Sequence, residues 1–182
     1  FKYITRDGEL PTIINSEIRG MNKSGVTVGM FDNLPFIYDP VSDSYTEFAN
    51  PNPSLYAGGS FSSVSDDGTV VGMWFKPAQT NRYAIIYNPN LGTSPLDLKS
   101  YLESRGETVN SAASMGPAFS ISPNSKFIAG FSDGPAVAAY GWVVYLPDLT
   151  LGNKELTQNN TNVTFFPNPV IDNLNISLKS GR

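Results

Sequence analysis

Three copies of a short segment recur along the chain, and this repeat limits the possible folds more than any other feature. Met21–Met30 (MNKSGVTVGM) aligns without a gap on Val64–Met73 (VSDDGTVVGM). A third copy, Ile121–Phe131, carries one extra residue and has Ser125 where the first two have a glycine. The copies are spaced by about 43 and then about 57 residues, the range of β-propeller blades, which cannot bury both faces alone. The repeat therefore predicts an all-β fold, a partial β-propeller of about three blade-like units.

Glycine and small polar residues define the turn inside each copy. Gly25 and Gly68 supply a positive φ that other residues adopt only at a cost in energy. Because Ser125 replaces this glycine in the third copy, we expect the third turn to have a different shape. A second strand ending in Tyr and then Pro follows each copy, at Phe36–Pro40, Ile85–Pro89 and Val143–Pro147.

Another glycine lies in the middle of the strand after each turn: Gly29, Gly72 and Gly130. Glycine weakens the interior of a strand, so its presence there indicates that an aromatic ring or a neighbouring backbone approaches closely. Together the turn glycines and the strand glycines assign a structural role to the repeat.

One segment between the second and third copies has the pattern of a helix. Ser94 is the predicted N-cap, Pro95 suits the first helical position, and Asp97 complements the helix dipole. Three apolar residues at helical spacing form a stripe, and a glycine ends the segment: Leu98, Tyr101, Leu102 and Gly106. We expect this helix to cover a sheet edge as an insertion between strands.

Composition excludes several kinds of active site. The 182 residues include no Cys and no His, which removes thiolate zinc sites, cysteine nucleophiles and histidine-based triads. The net charge is −4 without a basic run, so nucleic acid and anionic membranes are poor candidates as partners, and no apolar run is long enough to span a bilayer. No cofactor is predicted.

Acidic residues are the remaining candidates for catalysis or metal binding, and they form no recognisable motif. The candidates are Asp66, Asp67, Asp97, Glu103, Glu107 and Asp133. Asp66 and Asp67 could serve as calcium ligands or as a carboxylate pair. The turn role is favoured, because the corresponding positions of the other copies hold Lys23, Ser24 and Asn124.

The repeat units resemble a family of extracellular repeats, the HAF repeats. The resemblance rests on the turn-and-glycine segments with their Tyr-x-Pro strands, and on the insert Leu96–Gly106; it covers about residues 1–147. Such repeats are taken to build β-propellers exported from bacteria, so the resemblance implies a propeller domain over residues 1–149 and no shared catalytic residues. A closed propeller has four to eight blades. We therefore expect an incomplete ring, cut at its N-terminus, that the remaining blades or another chain must close.

A second resemblance lies near the C-terminus, after a polar, Asn-rich linker at residues 150–161. Val163–Ile176 is similar to the opening of the C-terminal sorting domain of the type IX secretion system, through Phe166, Pro167, Asn168, Pro169 and Leu174. The two prolines make a stiff bend before a short strand. The resemblance implies that residues 162–182 are the first strands of a truncated immunoglobulin-like sandwich. It also implies the type IX machinery as partner and an extracellular or outer-membrane-surface location in a Gram-negative bacterium.

Three classes of function remain open on these observations. The first is a non-catalytic binding or adhesion module for an extracellular glycan or protein, with Trp74, Phe75 and Tyr83 as candidate contacts and Tyr56 beside them. The second is a structural spacer of a larger secreted protein. The third is an accessory part of an extracellular glycan-degrading enzyme.

Overall fold

A computed structural model describes Ile4 and residues 16–77, 82–109, 115–132, 140–146 and, for the backbone alone, 164–167. Over these residues the chain is mostly antiparallel β-strand with one short helix, so the all-β prediction is confirmed. The strands form three separate sheets of four strands each. The predictions for the linker at residues 150–161 and for Asn168, Pro169 and Leu174 lie outside the described residues.

Each sheet is an antiparallel meander in which strands adjacent in sequence are adjacent in space. The first sheet contains β1 (Glu17–Met21), β2 (Thr27–Phe31), β3 (Leu34–Asp39) and β4 (Ser44–Glu47). The second contains β5 (Gly58–Val64), β6 (Val70–Phe75), β7 (Arg82–Tyr87) and β8 (Leu96–Asp97), and the helix α1 (Leu98–Ser104) follows it. The third contains β9 (Ala118–Ile121), β10 (Phe127–Phe131), β11 (Tyr140–Tyr145) and β12 (Thr164–Pro167).

Apolar side chains from facing sheets form two shared cores. One core joins the first and second sheets: Val28, Phe48, Phe61, Val64, Val70, Trp74 and Ile85. The other joins the second and third sheets with α1: Val71, Ala84, Ile86, Leu98, Tyr101, Leu102, Val109, Met115, Ala118, Ile121, Ile128, Trp142, Val144 and Leu146. The second sheet thus lies between the other two, and the first strands are neighbours, since β1 contacts β5 and β5 contacts β9.

The same β-bulge occurs in the first strand of all three sheets. The register shifts between Ile18 and Gly20 in β1, and between Phe61 and Ser63 in β5. In the third sheet the extra residue is Phe119, between the partners of Ala129 and Gly130. A bulge adds one unpaired residue and increases the local twist of its strand.

The strand glycines lie opposite these bulges. Gly29 pairs with Ile18, Gly72 with Phe61, and Gly130 with Ala118, in each case the residue just before the bulge. A Cβ on Gly29 or Gly72 would overlap a backbone carbonyl oxygen of the first strand. On Gly130 it would overlap the carbonyl oxygen of Pro117, just before the first strand, and the ring of Trp142. The sequence predicts a close approach at these glycines, and the structure contains one at each.

The third turn is one residue longer than the first two, so it differs as predicted, but Ser125 keeps the backbone conformation of the glycine that it replaces. Ser125 has φ 60°, in the same left-handed region as Gly25 and Gly68, both at φ 83°. The amide of Ser125 donates to the carbonyl oxygen of Ser122, as that of Gly68 donates to Ser65. The extra residue of this copy lies later in the turn, before Phe127, whose carbonyl oxygen accepts the Ser122 amide.

The helix begins three residues later than the sequence predicts. Asp97, and not Ser94, is the N-cap, and its carboxylate accepts the amide proton of Ser100 at 2.7 Å. Leu96 and Asp97 pair with β7 as the short strand β8, which holds Asp97 in an extended conformation. The predicted apolar stripe is buried, and Gly106, at φ 83°, follows the helix.

The fourth strand of the third sheet comes from the segment that resembles a sorting signal. β12 pairs with β11 in antiparallel register, with Gly141 opposite Phe166 and Tyr140 opposite Pro167. Phe166 and Pro167, two of the residues that carry this resemblance, therefore lie in the edge strand of the third sheet. A proline is compatible with an edge strand because its missing amide removes no internal ladder bond.

Replacing Gly72 with alanine tests the bulge contact. A Cβ at this position would overlap the carbonyl oxygen of Ser60 and approach Cα of Phe61 to 2.7 Å, so β5 and β6 must separate. We expect Gly72→Ala to lower the free energy of unfolding by about 2–3 kcal/mol. Urea unfolding followed by circular dichroism measures this change.

Gly141→Ala is the matched control, since Gly141 is also a strand glycine. Among the described side chains and backbone, its Cβ would have no neighbour closer than the Gly130 carbonyl oxygen at 4.0 Å. We expect a change within about 1 kcal/mol, because alanine only restricts the unfolded backbone there. Equal losses from both substitutions would contradict the proposed role of the bulge.

Candidate functional site

Three aromatic residues and a lysine meet at one end of the second sheet, and we call them the aromatic cluster. They are Tyr56, Trp74, Lys76 and Tyr83. Trp74 and Tyr83 are cross-strand partners at the ends of β6 and β7. The ring of Tyr56 stacks on Trp74 at 6.0 Å between centroids and meets Tyr83 edge-on at 5.8 Å. The Lys76 ammonium lies 5.1 Å from the centre of the Tyr83 ring, within cation–π distance.

Trp74 forms the floor of this cluster and does not reach solvent. It is 2% exposed and its ring covers Gly59, where a Cβ would overlap the ring carbons. Tyr56 and Tyr83 are half-buried, so each presents part of its ring and leaves the rest in the core. The accessible part of the cluster is therefore formed by the two tyrosines and Lys76.

Phe75 lies apart from these residues. Successive residues of a strand point to opposite faces, so Phe75 faces away from Trp74. It packs beside Gly58, where a Cβ would come within 2.9 Å of the phenylalanine ring. Of the three contacts predicted from the sequence, the structure brings Trp74 and Tyr83 together and places Phe75 on the other face.

The hydroxyl of Tyr56 is held in its neutral form. Burial raises the pKa of Tyr56, and the nearby negative charge of Asp97 raises it further, while Lys76 opposes these effects. The phenol therefore remains a hydrogen-bond donor at neutral pH. Lys76 lies in the loop that leaves β6, and its position over a ring has no signal in the sequence.

Ring faces beside a hydroxyl and an ammonium group suit a ligand with an apolar face and polar edges. Aromatic rings bury apolar area while Tyr hydroxyls bond to polar groups. Sugar rings have this combination of C–H faces and hydroxyl edges. Among the described residues no group of three or more acidic side chains converges as a metal site.

The three repeat turns form a second cluster, which we call the turn row. Asn22 donates from its side-chain amide to the carbonyl oxygen of Ser65 at 3.0 Å, and Lys23 pairs with Asp66 at 2.9 Å. The amide of Asp66 in turn donates to the carbonyl oxygen of Pro123 at 2.9 Å. The first turn is thus bonded to the second, and the second to the third.

The carboxylate of Asp67 accepts three hydrogen bonds in the turn row, one of them from the third turn. Its Oδ1 accepts from the hydroxyls of Ser65 and Ser125, each at 2.6 Å, and from the amide of Thr69 at 2.9 Å. Partial burial raises the pKa of Asp67, but the hydrogen bonds to the carboxylate outweigh burial and hold the pKa below its usual value. Ser125 thus occupies a strained backbone position and links the second sheet to the third.

Three of the other acidic candidates also have structural partners, and Glu107 lies just after α1, where its amide donates to the carbonyl oxygen of Leu102 at 3.1 Å. Asp97 caps α1, and the Glu103 carboxylate lies 3.8 Å from Lys99 one helical turn away. Asp66 belongs to the turn row, and Asp133 lies outside the described residues. The described acids proposed for an enzyme therefore lie in the turn between β5 and β6, at the N-cap of α1, on α1 and just after α1.

Comparison of the chain with protein-family models, with curated proteins and with solved structures finds no match in any of the three. In the described part of the chain, no helix has the length and apolar character needed to cross a membrane. The fold and the two clusters are thus the observations from which a function is proposed.

Asp67→Asn tests the electrostatic part of the turn row. The pKa of Asp67 is lower in the folded chain than in the unfolded chain, where it is about 3.9. The stabilisation of the folded chain by the ionised Asp67 carboxylate is therefore complete above about pH 3.9, and it is lost as the pH falls through the pKa of the folded chain. Because Asp67 is exposed and solvent screens its charge, we expect Asp67→Asn to cost no more than about 1 kcal/mol at neutral pH and to differ less from wild type below about pH 4.

Urea unfolding of both proteins across this pH range measures the effect. Asp66→Asn is the control, since it removes a charge from the adjacent residue, whose partner Lys23 is 74% exposed in its side chain. A surface pair of this kind contributes little, so we expect a change within about 0.5 kcal/mol. A constant difference between Asp67→Asn and wild type at all pH values would contradict the proposal.

Proposed function

We propose that the chain is a non-catalytic β-propeller module of a secreted or cell-surface bacterial protein, and that it binds an extracellular glycan or protein through the aromatic cluster. The single observation that carries binding is the packing of Tyr56, Lys76 and Tyr83 on the buried Trp74. The floor fixes the ring positions, so little conformational entropy is lost when a ligand stacks on them.

The propeller arrangement is supported by how the sheets repeat. Each is a four-stranded meander with the same bulge, and the first strands β1, β5 and β9 are consecutive neighbours. Such first strands line the axis of a propeller, and each blade packs its faces on the two neighbouring blades. The turn row then runs around one end of that axis, and the aromatic cluster lies at the opposite end of its sheet.

A glycan is the ligand class that the cluster suits best. The accessible groups are two partly exposed phenol rings and one ammonium, which together offer stacking and hydrogen bonding. A protein ligand is the alternative within the same proposal, bound through an aromatic or carboxylate side chain. The spacer alternative assigns the cluster a packing role alone and gives no saturable affinity.

Export through the type IX secretion machinery is the second part of the proposal. It is supported by the resemblance of Val163–Ile176 to the start of a sorting domain. This resemblance implies that the protein is located on the outer-membrane surface or in the medium. An accessory role in a glycan-degrading enzyme would share this address and the same ligand class.

Binding is tested on a glycan array followed by calorimetry with the oligosaccharide that binds best, in the presence of a calcium chelator. We expect saturable binding that weakens about tenfold in Tyr83→Ala, because an aromatic contact of a binding site contributes on the order of 1–2 kcal/mol. Lys76→Ala is expected to weaken binding by a smaller factor.

Tyr140→Ala is the matched control, since Tyr140 is a partly exposed tyrosine on the third sheet, outside the aromatic cluster. Its affinity is expected to equal that of the wild type. Saturable binding that survives Tyr83→Ala unchanged would place the ligand elsewhere. Absence of binding to every glycan and to candidate surface proteins would leave the spacer function.

Export is tested by expressing the chain, extended by the remaining strands of a complete sorting domain, behind a periplasmic leader in a bacterium with type IX secretion. We expect the wild type in the medium or on the cell surface, and Pro167→Ala with Pro169→Ala retained in the periplasm, since both prolines belong to the sorting motif. Asn159→Ala in the linker is the control. Equal export of all three proteins, measured by immunoblot, would overturn this assignment.

A further inference from the structure

One sheet-to-sheet interface is used twice within the chain. Between the first two sheets, Val28 and Ile37 pack on Phe61 and Val64. Between the second and third, Val71 and Ile86 occupy the positions of Val28 and Ile37, because each valine precedes a strand glycine and pairs with the isoleucine. They pack on Ala118 and Ile121, which occupy the positions of Phe61 and Val64.

The first sheet presents one half of this interface to solvent. Ile18 lies opposite Gly29 as Phe61 lies opposite Gly72, and Met21 pairs with Thr27 as Val64 pairs with Val70. Phe61 and Val64 are 0% and 7% exposed, whereas Ile18 and Met21 are 59% and 65% exposed. Nothing in the described part of the chain covers these two side chains.

The third sheet presents the other half. Ala129 precedes Gly130 and pairs with Val143, as Val71 precedes Gly72 and pairs with Ile86. Ile86 is fully buried, but Val143 is 40% exposed. Two phenylalanines extend the exposed surface, Phe119 at 43% and Phe127 at 45%. The face by which the first sheet packs on the second, and the second on the third, is therefore exposed to solvent on the third sheet.

We propose that a second copy of this chain completes both halves, with β1 of each copy packed beside β9 of the other. The two exposed halves are complementary because within the chain the same two kinds of surface already pack on each other. Two copies related by a two-fold axis make this head-to-tail contact twice and close a ring of six sheets, within the four to eight of known propellers. The inference rests on the propeller arrangement of the proposed function.

On the first sheet, the proposed contact between the two copies is made mainly by the first strand, β1. On the first sheet the outer part of the exposed side is already buried, since Phe31 and Phe36 belong to a separate cluster on which Ile4 packs. Ile18 and Met21 remain free for the partner. This geometry continues the contacts of β1 with β5 and of β5 with β9.

The test is the mass of the full chain in solution, by light scattering and sedimentation over a range of concentrations. We expect a species of twice the 19.7 kDa chain mass. Met21→Asp and Val143→Asp are each expected to raise the dimer dissociation constant at least tenfold. Val41→Asp is the control, because Val41 is 87% exposed in the turn between β3 and β4 and belongs to neither half.

Mixing the two variants tests the head-to-tail geometry. Each variant alone has two damaged contacts per dimer, whereas a mixed pair contains one contact with both natural halves, so the mixture is expected to associate more tightly than either variant alone. Val143→Thr keeps the β-branched shape of the side chain and is expected to weaken the dimer while the sheet stays folded, as circular dichroism measures.

A single-chain mass at every concentration overturns the proposal and assigns the exposed halves to further sheets of a longer polypeptide. Loss of the dimer in Val143→Asp but not in Met21→Asp also overturns it, since a symmetric contact of two third sheets would then hold the dimer. Glycan affinity is measured on the same samples. A dimer that binds no glycan would contradict the proposed ligand but not the dimer. A monomer that binds glycan would contradict the dimer but not the proposed ligand.

Discussion

Burial of both faces of each sheet is the constraint on which this structure depends. A four-stranded meander with apolar residues on two faces cannot be stable by itself in water, because both faces are then exposed, and a single neighbouring sheet covers only one of them. The second sheet meets this requirement within the chain, since its first strand β5 is buried along nearly its whole length. The first strands of the outer sheets, β1 and β9, keep exposed positions. The positions that form the two internal cores are thus exposed on the outer faces of the first and third sheets, and a surface of the same kind must cover them there.

The bulge and the turn row set how closely the sheets approach. Each bulge directs a carbonyl oxygen at a strand glycine, so the first two strands of a sheet pack more closely than side chains would allow. The turns then bond from sheet to sheet through Asn22, Asp66 and Asp67. These polar bonds lie beside the apolar cores and fix the register of one sheet on the next, which apolar contact alone does not specify.

The repeat made much of this fold predictable from the sequence, because each turn glycine is required by a positive φ and each strand glycine by the close approach of a neighbouring backbone. The positive φ of Ser125 could not be predicted, because its energetic cost is offset by a hydrogen bond to Asp67 in another sheet and no local pattern reveals such a partner. The N-cap shifted to Asp97 because pairing with β7 extends the chain there. In the aromatic cluster the residue types were predictable, but burial of Trp74 and the position of Lys76 depend on packing across the sheet.

A row of sheets that touch only their neighbours has consequences for cooperativity. Each meander is built from contacts local in sequence, so single sheets can form early, and their stability then comes from the interfaces on either side. In a single copy, amide hydrogens in β5 and β6 should therefore exchange with solvent only through disruption of two interfaces, whereas those of the outer sheets need the loss of one. Local unfolding of a single copy thus begins at the two outer sheets, and closure of the ring by a second copy would remove this difference.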